Sequence, residues 1–179
     1  MVAPVHPCNV FLIGPMGAGK TTVGSLLAKA MGREFLDSDA VLQERTGVTV
    51  SEIFDREGEQ GFRRREREVI AELVQQRNIV LATGGGAVLD ADNRRLLASR
   101  GTVIYLRVPL DAQLRHLRAD RSRPLLQDGD PEEILKRLSG EREPLYRELC
   151  DYQVNMDGLT VRSACQKIVE WLDQAPGLS

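Results

Sequence analysis

The segment 14–21 contains the residues whose types and spacing have the clearest chemical meaning. It reads Gly-Pro-Met-Gly-Ala-Gly-Lys-Thr and matches the pattern G-x-x-x-x-G-K-[ST]. The glycines let consecutive backbone N–H groups turn toward an anion, and a helix beginning near Lys20 adds the positive end of its dipole. Lys20 can reach nucleotide β- and γ-phosphates, and the Thr21 hydroxyl can bind Mg²⁺. This is a phosphate-binding P-loop, with expected nucleotide contacts at Gly17, Ala18, Gly19, Lys20, Thr21 and Thr22.

Two carboxylates, Asp37 and Asp39, stand at the end of the next apolar segment. Alternation along a strand sends residues two apart toward the same side. One carboxylate could hold metal-bound water while the other binds a substrate hydroxyl. The alternative is that Ser38 or Asp39 only caps the following helix. Because the P-loop precedes them, we favour a role in the site.

Arginine dominates the basic residues, and the segment 63–67 holds four of them. A solvent-exposed helix face balanced by acidic neighbours explains most of this cluster. Arg63 is the exception that we consider, because it follows the core-type residue Phe62 and can pair with Glu66 three residues later. Such a pair could aim the guanidinium into a cleft.

Two further segments follow predicted strands or helices closely. Gly84-Gly85-Gly86 removes side chains where another group could approach the backbone, although a flexible turn is the alternative. The polar loop at about 120–130 is flanked and occupied by arginines, and a mobile lid could bring one of them onto a phosphate. A solvated basic loop is the alternative reading. The arginines concerned are Arg115, Arg118, Arg121 and Arg123.

Short apolar strands alternating with helices must position these residues. Strands are predicted at 9–13, 34–37, 79–82, 103–108 and 152–155, with helices between them that include one at 40–46, one continuing after Gly58 and one at about 131–141. This alternation predicts an α/β fold with a parallel sheet covered on both faces. Ligands of such sheets bind at the carboxyl ends of the strands, so the P-loop, the two aspartates and the glycines should converge on one crevice.

Composition narrows the function further. The chain has 179 residues, which predicts one domain, and 24 basic residues against 26 acidic ones give a net charge of −2. This balance and the eight aromatic residues argue against nucleic-acid binding. The sequence contains neither a signal peptide pattern nor an apolar stretch of transmembrane length, and the three separated cysteines indicate reduced thiols. We expect a cytoplasmic protein with small-molecule partners and no membrane association.

With these motifs in order, the chain resembles the shikimate kinases, small P-loop kinases related in fold to the nucleoside monophosphate kinases. The likeness spans about residues 8–173. It depends on the P-loop and on five further segments: Phe35-Leu-Asp-Ser-Asp39, Gly58-Glu-Gln with Phe62-Arg63 and Glu66, Gly84-Gly-Gly-Ala-Val88, Arg123-Pro-Leu-Leu126 and Arg142-Glu-Pro-Leu-Tyr146.

The resemblance implies a single P-loop NTPase-type domain over 8–173, a five-stranded parallel sheet in the order 2-3-1-4-5 flanked by helices, a mobile lid at about 120–130, and loose tails at 1–7 and 175–179. It also implies a monomer that uses ATP and Mg²⁺ to phosphorylate the 3-hydroxyl of shikimate, a step toward chorismate and the aromatic amino acids.

The resemblance further assigns roles to individual residues. Asp39 would bind shikimate hydroxyls as base or orienter, and Asp37 would lie near the metal with Thr21. Gly85 would contact the substrate through its backbone. Two arginines, Arg63 and Arg142, would bind the carboxylate, while Lys20 and the lid residue Arg123 would stabilise phosphate charge. Either Arg115 or Arg118 could pack on adenine.

Another small-molecule P-loop kinase, such as a gluconate or nucleoside monophosphate kinase, is the main alternative. It would keep the P-loop and lid but change the acceptor pocket, and the combination of Asp39, Arg63, Gly85 and Arg142 argues against it. A non-catalytic module that binds nucleotide or nucleic acid is the alternative from another class of protein.

Overall fold

The computed structural model of the chain describes residues 9–117 and 129–175, and within these ranges five strands form one parallel sheet. The order is β2-β3-β1-β4-β5, as the resemblance implied. The strands are β1 (Val10–Ile13), β2 (Glu34–Asp37), β3 (Ile79–Ala82), β4 (Thr102–Arg107) and β5 (Tyr152–Asn155).

Alternate residues of the strands pack on opposite faces of the sheet. In β1, Phe11 and Ile13 belong to one buried cluster, whereas Val10 and Leu12 belong to another. A strand that is buried on both faces must be apolar at every position, and β1, β3 and most of β4 are. The sheet is therefore the middle of three layers, which confirms the predicted fold class.

Helices cover both faces of this sheet. The helices α1 (Lys20–Met31), α5 (Leu110–Leu117) and α7 (Val161–Gln174) contribute to the cluster on the Val10 face. The opposite face is covered by α2 (Ser38–Thr46), α3 (Val50–Leu73), α4 (Ala91–Arg100) and the second half of α6 (Pro131–Leu149). A 3-10 turn, Ala87–Leu89, leads from β3 toward α4.

Two elements differ from the sequence expectation or refine it. The helix α6 was predicted to end near Glu141, but it continues through Pro144 to Leu149. A proline removes one intrahelical hydrogen bond, yet Leu145, Tyr146 and Leu149 beyond it pack on the core, and this packing maintains the helix. The predicted change of helix at Gly58 is present as an interruption of α3, where Gly58 has φ 72° and ψ −179°.

Three consecutive strands of the sheet bring the predicted loops together. β1 leads into the P-loop, β3 lies beside β1, and β2 lies beside β3, with all three parallel. Thr83 joins two of these ends, because both its N–H and its Oγ1 donate to the Leu12 carbonyl, at 3.1 and 3.0 Å. The crevice at the carboxyl ends of the strands is thus built by sheet topology.

Several predictions made from the sequence concern residues outside the described ranges. Arg123, Arg118 and Arg121 lie there, as do residues 120–128 of the predicted lid and the 1–7 tail. Among the described residues, no helix combines the length and apolar character needed to cross a bilayer.

Candidate active site

The P-loop ends in the first turn of α1, which leaves helix N–H groups facing the crevice. Gly19 precedes the helix at φ 89°, a left-handed conformation that favours glycine, and no side chain caps the helix there. The first turn also contains no acidic residue. Lys20 Nζ donates to the carbonyls of Gly14 and Pro15, at 2.6 and 2.9 Å, so the ammonium group lies over the loop. The segment has the amide donors and the positive charge that a phosphate requires.

Asp37 connects the P-loop helix with the next strand end. Its Oδ2 accepts a hydrogen bond from Thr21 Oγ1 at 2.7 Å, and its Oδ1 caps α2 by accepting from the N–H groups of Asp39 and Ala40. The capping function that the sequence left open for Ser38 or Asp39 thus belongs to Asp37. One carboxylate serves the helix and the crevice through different oxygens.

The residue between the two aspartates secures the glycine loop. Ser38 is buried, and its hydroxyl oxygen accepts from the Gly84 N–H at 3.2 Å. A β-carbon placed on Gly84 would lie 2.8 Å from Glu66 Oε2 and 3.0 Å from Asp39 Oδ1. A side chain there would force the Glu66 and Asp39 carboxylates to move, which explains this glycine by close approach rather than by flexibility.

The Arg63–Glu66 pair forms as the spacing predicted. Arg63 Nη1 lies 2.9 Å from Glu66 Oε1, and the Arg63 side chain is only 18% exposed, whereas Arg64, Arg65 and Arg67 are exposed. The Arg63 guanidinium also lies 5.1 Å from the Phe62 ring centroid. Arg63 alone among the four arginines of the segment therefore turns into the crevice.

Arg142 and Gly85 meet across the crevice from different elements. Arg142 of α6 is 4% exposed, and its Nη1 would lie 3.4 Å from a β-carbon placed on Gly85. Its Nε and Nη2 are buried without a hydrogen-bond partner among the residues described, 9–117 and 129–175. Buried guanidinium N–H groups are normally satisfied, so these donors indicate a place for an anion.

Burial sets the electrostatics of this cluster. Desolvation raises the pKa of Glu66, which is 2% exposed, and the charge of Asp39 acts in the same direction, although Arg63 and Arg142 oppose both. Desolvation lowers the pKa of Arg142, and Arg63 adds to that effect. Two guanidinium groups in one poorly solvated site favour an acceptor that carries a negative charge.

The four predicted acceptor residues line a single cleft: Asp39, Arg63, Gly85 and Arg142. Met16 of the P-loop lines it too, so the cleft opens beside the phosphate-binding segment. The structure therefore brings three charged side chains and a glycine backbone together from four separate stretches of sequence.

Other residues of this region were missed by the sequence analysis. Val50 and Phe54 line the cleft and, with Phe62, give it an apolar wall. Tyr146 donates to the Gly85 carbonyl. Its position four residues after Arg142 on a helix was the available signal, because residues at that spacing share a helix face.

Arg115 occupies an exposed position on α5. It pairs with Asp111 of the same helix at 3.1 Å and with Asp157, in the turn after β5, at 3.5 Å. The alternative adenine-packing residue, Arg118, lies outside the described ranges. The choice between these two arginines stays open.

The oxygen donors near the P-loop fit a magnesium ion held mainly by phosphates and water. Thr21 Oγ1 and Asp37 Oδ2 supply two hard oxygen ligands side by side. Within residues 9–117 and 129–175, no group of three or more histidine, cysteine or acidic side chains could form a metal cage. Magnesium at nucleotide sites usually needs only one or two protein ligands.

Comparison with known proteins gives the same picture over nearly the whole chain. A model of the shikimate kinase family matches residues 16–173. A shikimate kinase of Methylococcus capsulatus is 57% identical over 161 residues, covering 90% of each chain. One of Legionella pneumophila is 55% identical over 164 residues, covering 92% of this chain and 94% of the relative.

Solved structures agree. The shikimate kinase of Acinetobacter baumannii in complex with shikimate has a TM-score of 0.89 and 48% identity, and the match covers 94% of each chain. A deoxyadenosine kinase from M. mycoides, at 16% identity and a TM-score of 0.63, shares the fold alone.

Proposed function

This chain belongs to the shikimate kinase family, and we propose how its own residues bind and activate the two substrates. Shikimate kinases transfer a phosphoryl group from ATP to shikimate in aromatic amino acid biosynthesis. The acceptor is the 3-hydroxyl of shikimate. The observation that carries the proposal is the single cleft in which Asp39, Arg63, Gly85 and Arg142 meet beside the P-loop.

The two arginines bind the shikimate carboxylate. Guanidinium groups pair with carboxylates through parallel N–H donors, and Arg142 has buried donors that meet no partner among the described residues. Arg63 is held in place by Glu66 at 2.9 Å and by Glu59 at 3.5 Å, and its buried Nε, which has no partner among the described residues, is left for the ligand. The Gly85 backbone contacts the shikimate ring substituents from the other side.

Asp39 binds the reacting hydroxyl. Its carboxylate lies in the first turn of α2, directly after β2, beside Gly84 and on the cleft wall. As the hydroxyl oxygen bonds to the γ-phosphorus and the bond to the β,γ-bridging oxygen breaks, the hydroxyl loses its proton. Asp39 either accepts this proton or orients the hydroxyl for attack, and both roles need the same hydrogen bond.

The P-loop holds the transferring phosphate. The N–H groups of Gly17, Ala18, Gly19, Thr21 and Thr22 surround the phosphate oxygens at the uncapped end of α1, and Lys20 stabilises the charge that develops during transfer. We assign Arg123 to the same task from the resemblance alone, because that residue is outside the described ranges.

Thr21 and Asp37 hold Mg²⁺ when nucleotide is bound. The ion supplies neutralisation of charge on the β- and γ-phosphates. The variant Asp37→Asn tests the assignment, because asparagine caps a helix about as well as aspartate and should leave stability within ~0.5 kcal/mol. We expect activity to fall and the Mg²⁺ concentration for half-maximal rate to rise. An unchanged Mg²⁺ dependence would contradict the assignment.

We also propose that the chain works as a cytoplasmic monomer. Cys150 and Cys165 are free thiols, as expected in a reducing compartment. Every acceptor residue named above comes from one chain and lines one cleft. Sedimentation with and without substrates tests the oligomeric state, and a dimer in both conditions would contradict it.

The activity is tested by ADP release with ATP and Mg²⁺, comparing shikimate, gluconate, AMP and no acceptor. Selective stimulation by shikimate supports the proposal, and stimulation by gluconate or AMP would overturn the acceptor pocket. No acceptor-dependent ADP release with any of these compounds would favour a non-catalytic module.

The carboxylate assignment is tested by Arg142→Ala, with Arg137→Ala as the matched control. Arg137 is exposed on the same helix. Loss of a buried charged contact costs ~2–5 kcal/mol, so KM for shikimate should rise by roughly a hundredfold while KM for ATP changes little. Equal losses for both substrates, or the same loss in the control, would contradict the assignment.

A further inference from the structure

Tyr146 reaches the glycine loop from α6. It lies one helical turn after Arg142, and both residues are buried. Its hydroxyl donates a hydrogen bond to the Gly85 carbonyl at 2.5 Å. The helix that carries one proposed acceptor contact therefore also holds the peptide that carries another.

The hydrogen bond to the Gly85 carbonyl comes from a side chain, whereas the carbonyls of the neighbouring glycines accept from backbone N–H groups. The carbonyls of the two flanking glycines accept from Ala87 and Leu89 N–H groups within the same turn, each at 3.1 Å. The Gly85 carbonyl instead accepts from the Tyr146 side chain on another element. This contact ties the middle of the loop to α6.

The aromatic ring that presents this hydroxyl is held by the core. Tyr146 is 2% exposed and stacks on Tyr105 of β4, with centroids 5.0 Å apart and planes at 27°. A buried, stacked ring has little rotamer freedom, so the hydroxyl position is set by the sheet as well as by α6.

Burial also keeps the hydroxyl protonated. Desolvation raises the pKa of Tyr146 above its ordinary value and that of Tyr105 to about 12. Tyr146 thus remains a hydrogen-bond donor throughout any practical assay range. It is not among the residues that line the acceptor cleft, whereas Gly85, to which it donates, and Arg142, on the same helix, both line it.

We propose that Tyr146 is a positioning residue for phosphoryl transfer, which sets the spacing between the Gly85 peptide and the Arg142 guanidinium. This inference rests on the proposed assignment of Gly85 and Arg142 as acceptor contacts. If the Gly85 peptide moved relative to the Arg142 guanidinium, the two could no longer contact the ring and the carboxylate of the same rigid acceptor at once.

The variant Tyr146→Phe keeps the stacked ring and removes only the hydroxyl. Tyr105→Phe is the matched control, because it makes the same chemical change in the other member of the pair. Steady-state kinetics with each substrate varied, and thermal unfolding midpoints, are measured for both variants and the parent chain. The assay temperature is set well below the lowest midpoint, so that partial unfolding does not enter the rates.

We expect Tyr146→Phe to raise KM for shikimate about tenfold, with KM for ATP within about twofold of the parent value, because one buried hydrogen bond is lost. Tyr105→Phe should leave both constants unchanged. Parent-like kinetics of Tyr146→Phe would overturn the inference even if its midpoint fell, and so would parallel rises in both KM values. If the parent chain itself shows no shikimate-dependent ADP release, the proposed function fails first, which is a distinct result.

Discussion

At the residue scale, the acceptor cleft is an arrangement of charges that are incomplete without a ligand. Arg142 carries buried donors without partners among the described residues, and Glu66 holds Arg63 while its own Oε2 is likewise unsatisfied there. Burying such groups costs free energy that a bound anion with hydroxyls can offset. The same residues therefore lower stability in the free protein and provide affinity for an acidic polyol.

A methyl group on Gly86 tests the placement of Arg63. The backbone there, at φ −94°, accepts alanine, but the new β-carbon would lie 2.5 Å from Arg63 Cζ and 2.6 Å from Nη1. Gly86→Ala should displace the Arg63 guanidinium from its contact with the buried Glu66, which lowers the free energy of unfolding by ~1–3 kcal/mol and raises KM for shikimate roughly tenfold or more. In an Arg63→Ala background the same methyl group should add nothing, and additive losses would contradict this explanation.

The burial of Glu66 predicts that the free energy of unfolding depends on pH. Its pKa is raised in the folded chain by burial, so the folded state holds this proton more tightly than the unfolded state, whose value is near 4.5. The free energy of unfolding contributed by Glu66 is thus greatest below that pH and decreases as pH rises through the folded pKa.

Urea unfolding of the parent chain and Glu66→Gln across pH 4–8 measures this term by difference. Glutamine does not titrate, so the stability of the parent relative to the variant should decrease with rising pH above about 4.5. A difference that stays flat above about pH 4.5 would contradict the raised pKa, because a pKa lowered by Arg63 would confine the change in stability to lower pH.

At the element scale, local signals predicted the strand ends well, and long-range packing determined the rest. The P-loop and the 37–39 segment each follow an apolar strand, and the Arg63–Glu66 contact is a three-residue spacing on one helix. By contrast, no local pattern indicates that α6 continues through Pro144. The spacing of Tyr146 from Arg142 indicates a shared helix face but does not identify Gly85 as the hydrogen-bond partner. Those features arise because α6 packs on the sheet and its second half joins the core.

The interruption of α3 at Gly58 predicts a stability effect that depends on backbone conformation alone. A β-carbon at Gly58 or at Gly140 would meet no atom within 4 Å, so an alanine at either position would clash with no neighbouring residue. Gly58 has φ 72° and ψ −179°, a region that side chains disfavour, whereas Gly140 lies inside α6. Gly58→Ala should therefore lower the free energy of unfolding by about 1–3 kcal/mol.

Gly140→Ala should raise it by about 0.5–1 kcal/mol, because alanine loses less backbone entropy in a helix. Urea titrations of both variants check the pair. Equal signs for the two changes would mean that the interruption at Gly58 is not maintained in solution.

At the scale of the whole molecule, the resemblance and the sheet topology agree, and the site follows from both. Composition indicated only a single domain with small-molecule partners, and the alternation of strands and helices added the α/β fold class. The meeting of Arg63, Gly85 and Arg142 in one cleft could be expected from the family resemblance but not from spacing, because these residues come from three separate elements. The predicted contribution of Arg123 lies outside the described residues.

Binding of shikimate should stabilise the whole chain. A ligand at 100 times its Kd adds ~2.7 kcal/mol to the free energy of unfolding, which for a domain of this size is roughly 5–11 °C in the midpoint. Differential scanning calorimetry should show this shift for the parent and Arg137→Ala and lose it for Arg142→Ala at the same concentration. A full shift in Arg142→Ala would place the carboxylate elsewhere.

The strand order β2-β3-β1 sets the distances between the groups that bind the two substrates. Neighbouring strands lie ~4.8 Å apart. The phosphate loop after β1, the glycines after β3 and the aspartates at the end of β2 and the start of α2 therefore follow one another at about that spacing. Only about two such intervals separate the donor loop from the far wall formed by Asp39. The span between the phosphate loop and the cleft wall at Asp39 is therefore set by hydrogen-bonded backbone, which a side-chain substitution changes little.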